Sequence, residues 1–160
     1  MANLKEIKAL KEKGSWSEAQ SNILKLVEEN PNDFEAFLEA GLIHEKLEMI
    51  PQAITYYQKA LELDADEMIR QHTLLQLGIS YRAVGLYEQA RETLEIGMSE
   101  FPSDHRFYVY FAMTLYNLGD ADLAMEIILN KLLETTEDQQ LLSHRELIEF
   151  YASCLDETFN

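Results

Sequence analysis

The chain has 160 residues, long enough to enclose a hydrophobic core and read most simply as one domain over 1–160. Hydrophobic side chains make up 47% of it, with only 6 Gly and 3 Pro, a balance that fits a folded, mainly helical protein rather than a disordered or low-complexity one. A formal net charge of −16 argues against a nucleic-acid partner, because such a surface repels phosphates.

The N-terminal stretch MANLKEIKALKEKG carries Lys5, Lys8, Lys11 and Lys13 with no apolar run behind them, so it does not read as a secretory leader. Apolar spacing predicts helices over 2–13, 16–29, 33–47 and 50–63. The run DADEMIRQHTLLQLGISYRAVG reads as one long helix over 66–84, with Asp64 or Asp66 as its N-cap. Further helices are expected over 87–99, 104–117 and 120–134. The uncharged run FYVYFAMTLY, residues 107–116, is too short to span a bilayer, so no membrane partner is expected. A last helix over 138–158 would align Leu141, His144, Ile148, Tyr151 and Leu155 on one stripe. Cys154 is the single cysteine, which leaves no internal disulfide and fits a reducing compartment; the cytoplasm is the expected location.

The segments repeat. EQARETLEIGMSEFPSD lies over PQAITYYQKALELDADE, with Ala90 on Ala53, Leu94 on Tyr57, Gly97 on Ala60 and Pro102 on Ala65. Upstream, LLQLGISYRAVGLY lies over FLEAGLIHEKLEMI, with Gly78 on Gly41 and Tyr81 on His44. SEAQSNILKLVEENPND and DLAMEIILNKLLETTED supply two more copies, so Ala19, Ala53, Ala90 and Ala124 recur at steps of 34, 37 and 34 residues. Helices cross closely where one of them offers Gly or Ala, which explains the small residues. Pro31 and Pro102 end helices and turn the chain into the next copy.

This pattern resembles the tetratricopeptide repeat, a pair of antiparallel helices of roughly 34 residues. The resemblance covers about residues 2–136, with repeats over 1–32, 33–66, 67–103 and 104–137. LQLGISYRAVGLYEQA with FAMTLYNLGDADLA is similar to a small bacterial subgroup for which no specific activity is implied. The resemblance implies an all-α, right-handed superhelical solenoid of about four helix pairs, with 138–158 as a capping helix. Three departures stand out: Ile7 replaces the first-helix Gly of repeat one, Ala65 replaces a Pro, and Lys131 stands where a small residue is expected.

Catalytic patterns are weak. Ser103, Asp104 and His105 are neighbours, but triad members normally meet from separated positions, so Ser103 or Asp104 reads better as a helix N-cap. A hydrolase around His105 is the enzymatic alternative; the expectation is no enzyme. His44, His72, His105 and His144 show no paired metal-ligand spacing, and no metal or cofactor is expected. His44 reads as a core residue and Cys154 as a buried structural thiol. Gly14, Gly85 and Gly119 read as turn glycines between paired helices.

In the resembling arrays the first helices line a concave face, and their second, fifth, ninth and twelfth repeat positions point out of it. Here these are Glu35, Leu38, Leu42 and Glu45, then His72, Leu75, Ile79 and Arg82, then Arg106, Val109, Met113 and Tyr116. The middle positions are apolar each time, which implies an apolar floor between charged rims, acidic early and basic later. The expected function is a protein-interaction module holding a partner segment in this groove. The alternative is a secretion-type chaperone holding an apolar export segment. A competing explanation for the apolar 104–117 helix is coverage by 138–158 or by a second copy, a homodimer. Leu4 and Lys8 occupy the places where some family members clamp a C-terminal carboxylate with Lys and Asn, so that clamp is not expected.

Overall fold

The structure is a computed structural model describing residues 3–159. All the regular structure in those residues is helical. The helices are α1 Leu4–Glu12, α2 Trp16–Glu29, α3 Phe34–Lys46, α4 Ile50–Glu62, α5 Glu67–Ala83, α6 Tyr87–Glu100, α7 His105–Leu118, α8 Ala121–Thr135, α9 Gln139–Ser143 and α10 Arg145–Ala152. The first eight fall within one or two residues of the sequence expectation; the expected start of the first helix at residue 2 lies outside the described residues.

The ends form for local reasons. Asp33, Asp66 and Asp104 each cap the following helix by accepting a backbone N–H, from Ala36, Ile69 and Arg106 respectively. Asp66, rather than Asp64, starts the long helix. Between paired helices one turn occurs four times: the amide of Ser15, Met49, Leu86 or Asp120 donates to a carbonyl five residues back, on Leu10, His44, Tyr81 or Leu115, at 2.9 Å. The residue before each of these amides is left-handed: Gly14, Gly85 and Gly119, but Glu48 in the second copy, at φ 61°. A side chain in that conformation is strained, so the sequence pattern alone did not mark this turn.

The chain divides into two compact units, one up to Leu86 and one from Tyr87. The division falls at the turn of the third expected helix pair, not between repeats. In the first unit each helix packs on the next, and α3 also touches α5. One cluster unites Ile7, Ala19, Ile23, Leu26, Val27, Ala36, Phe37, Ala40, Ile43 and Ala60; a second unites Leu38, Ala53, Ile54, Tyr57 and Leu77. Gly41 has a specific reason: a Cβ there would stand inside the Tyr57 ring. Ile7, at the equivalent place in repeat one, faces a smaller requirement, because Ile23 stands where Tyr57 does. Both isoleucines are fully buried.

In the second unit α7 packs between α6 and α8, and α10 packs on α8. Gly97 of α6 lies against the Phe107 ring, which leaves no room for a Cβ, and Phe101 stacks on Phe107 at 6.2 Å. Lys131 fits at the fourth small-residue position by lying over the Tyr108 ring at 3.9 Å, with its ammonium 2.6 Å from Glu134.

The expected helix over 138–158 is corrected. It breaks at His144, which ends α9 and begins α10, and it stops at Ala152. The Ser143 hydroxyl donates to the Gln140 carbonyl at 2.7 Å, competing with helix continuation. Within α10 Ala152 is buried, whereas Tyr151 and, beyond the helix, Leu155 of the expected stripe are exposed. The capping role stands: Arg145 donates to the Leu133 carbonyl at 2.6 Å, and Leu133 is almost fully buried.

Candidate functional site

The first unit presents α1 and α3 joined by charge. Lys8 pairs with Glu35 at 2.7 Å and approaches Glu39 at 3.9 Å, while Lys11 also hydrogen-bonds Glu39. Glu39 is buried, so these lysines supply the counter-charge that makes its burial tolerable. The hydrogen bond to Glu35 holds the Lys8 ammonium above the usual lysine range. A raised lysine contributes stability below its unfolded pKa and loses it as pH rises through the folded one. On the lysine side the bridge therefore persists through neutral pH and is lost in alkali.

The expected acidic rim is thus internally engaged. Glu35 belongs to Lys8, and Glu45 accepts a 2.7 Å bond from the Tyr57 hydroxyl. Burial, reinforced by the Glu45 carboxylate, pushes the Tyr57 phenol far up, so it stays a donor. Leu38, expected in the groove floor, is 2% exposed and belongs to the core with Ala53, Ile54, Tyr57 and Leu77, against which Leu42 packs half-buried. Leu75 is 3% exposed. Ile79 is half-buried, and the ring Nε2 of His72 lies 3.3 Å from the Gln76 amide. Arg82 is half-buried, and its Nε has no hydrogen-bond partner among the described residues.

The second unit presents α7. Phe107, Phe111, Ala112, Thr114 and Leu115 line its inner side. On the outer side Val109 is half-buried, Met113 is 41% exposed and Tyr116 is 69% exposed. Arg106 starts that stripe but is neutralised locally: its guanidinium grips the Asp104 carboxylate in fork geometry at 2.9 and 2.7 Å. Of the twelve expected site residues, Met113 and Tyr116 offer the largest apolar surface.

The remaining candidates resolve structurally. His44 is buried, its Nδ1 2.7 Å from the Ala40 carbonyl and its Nε2 3.2 Å from the Gln20 amide, as a core histidine. His105 Nδ1 is buried with no hydrogen-bond partner among the described residues, so no triad-type bond to Asp104 forms through it. Cys154 is half-buried rather than buried, its sulfur 3.2 Å from the Phe150 carbonyl. Among the described residues no group of His, Cys, Asp and Glu side chains is placed to hold a metal, and no helix is long and apolar enough to cross a membrane.

Two features escaped the sequence reading. The Lys8, Lys11, Glu35 and Glu39 lattice had a signal in the three-residue lysine spacing of α1, which places Lys8 and Lys11 on one side. An aromatic patch on α10 had none, because it is completed by Phe159, which lies beyond the helix and off any helical stripe.

A tetratricopeptide repeat family profile matches residues 4–67 and 75–139. No curated protein sequence matches the chain. Among solved structures, YrrB, described as a tetratricopeptide protein with an unusual peptide-binding site, superposes with TM-score 0.73 at 20% identity, over 88% of this chain and 71% of that one. MamA superposes with TM-score 0.75 at 16% identity, over 91% and 87%. A tetratricopeptide protein from Parabacteroides merdae gives 0.64 at 23% identity, over 95% and 60%. At these identities the likeness speaks for the fold alone. With most of its length matched, the chain belongs to the tetratricopeptide repeat family.

Proposed function

We propose that this chain is a protein-docking module and that the outer face of α7 receives an apolar-anchored partner segment. The observation that carries this reading is the exposure of Met113 and Tyr116, seven-tenths for the latter, three residues apart beside Val109. Large side chains so exposed and adjacent on one helix suit a partner's apolar residues, and a tyrosine adds a hydroxyl for orientation. Lys8, Glu35 and Glu45 are satisfied internally, so they contribute to the module's stability rather than to its ligand contacts.

That YrrB is described as having a peptide-binding site is a precedent within the fold. The test is selection of peptides from a random display library, followed by titration of a selected peptide against the parent and Met113→Ser/Tyr116→Ser. The pair should weaken binding by about tenfold or more, as hot-spot truncations do. Equal affinity in a folded double variant would remove α7 as the site.

A further inference from the structure

We propose that α10 and the segment after it form a second docking surface, for a basic amphipathic segment of another protein. It goes beyond the α7 face in both place and partner charge.

α10 has two unlike sides. Ala152 is 3% exposed, and the helix packs on α8. The other side carries Leu147, Phe150 and Tyr151, and the following segment brings Phe159 back onto them. Ring centroids lie 5.3 Å apart for Phe150 and Tyr151, 5.6 Å for Phe150 and Phe159, and 6.1 Å for Tyr151 and Phe159. Packed rings normally bury one another; these still leave about half their surface in water, with Leu155 similarly open. A contiguous apolar patch of this kind marks an interaction site, unlike scattered single exposures.

Charge decides the occupant. Between Gly119 and Phe159 the chain has ten carboxylates against two basic side chains. Both basic groups are spent internally, Lys131 on Glu134 and Arg145 on Glu149. Asp122 and Asp156 are close enough to share a hydrogen bond, which, with the Asp156 and Asp120 charges, raises the Asp122 carboxyl above the usual range. A cation beside them would relieve that repulsion. Anionic lipid, nucleic acid and a second copy of this chain would all add like charge. A segment with apolar residues at helical spacing and Lys or Arg beside them satisfies both the rings and the rim. The eight residues of α10 span about 12 Å, so two or three turns of partner helix cover it.

The probe is a labelled peptide of about fourteen residues, leucine and lysine at helical spacing, with a leucine–glutamate counterpart as control, read by anisotropy in about 150 mM salt. The lysine peptide should bind the full chain, and the glutamate peptide about tenfold or more weakly. Phe150→Ser/Phe159→Ser should lose about tenfold of that affinity, while Met113→Ser/Tyr116→Ser keeps it. Should the α10 pair disturb folding, Phe159→Ser alone, which lies beyond the helix, should still weaken binding. No binding of the lysine peptide, equal binding by the folded Phe159 variant, or loss in the α7 pair instead would overturn the proposal. So would a dimer by sedimentation that Phe150→Ser/Phe159→Ser dissolves, since it would make a second copy the occupant. Because the α7 pair is the control, failure here leaves the α7 reading standing.

Discussion

Two glycines show how a single missing carbon sets the helix crossings. Gly41 and Gly97 each admit a ring, Tyr57 or Phe107, into the space a Cβ would take. Gly97→Ala gains helix propensity of about 0.5–1 kcal/mol yet must push Phe107 aside in a packed core, so a net loss of about 1–2 kcal/mol is expected in urea unfolding. Glu48 is the converse case, a side chain held at φ 61° where the other three turns have Gly. Glu48→Gly relieves about 1–2 kcal/mol of left-handed strain and adds about 0.5–1 kcal/mol of chain entropy. A small gain in melting temperature should follow, and a loss would show that the Glu48 side chain contributes more than its backbone costs.

At the scale of helices, the sequence was most legible where a pattern recurred. The alanine series 19, 53, 90 and 124 and the cap candidates Asp66 and Asp104 report on local geometry, close crossings and N-caps, and the helices they mark lie where expected. The C-terminal segment has no sister copy, and its apolar stripe runs through His144, where the structure ends α9 and begins α10. The site was less legible for a related reason. Repeat positions predict which way a Cα–Cβ bond points, not what lies above it, so Leu38 and Leu75 read as groove floor and prove buried. Leu75→Glu would therefore report on folding, not on ligand binding. Truncation after residue 137 should uncover Leu133 and strand the Leu133 carbonyl, lowering the melting temperature or causing aggregation. An unchanged melting curve would make α9 and α10 a detachable arm. Lys11→Ala, which leaves buried Glu39 only the more distant Lys8, should cost about 1–3 kcal/mol in the first unit.

Across the whole molecule, a surface of net charge −16 is interrupted by apolar patches that the chain leaves open. The α7 stripe has its one arginine tied to Asp104 and so recognises a ligand chiefly by apolar contact. Binding there should change little with salt, whereas the α10 surface, on a segment rich in carboxylates, should release a basic segment as salt rises. The most direct measurement of the central claim is the affinity of a display-selected peptide for the parent and for Met113→Ser/Tyr116→Ser, with circular dichroism confirming that both are folded. A weakening of about tenfold or more, at low and high salt alike, is the predicted result. Unchanged affinity in the folded double variant would contradict it.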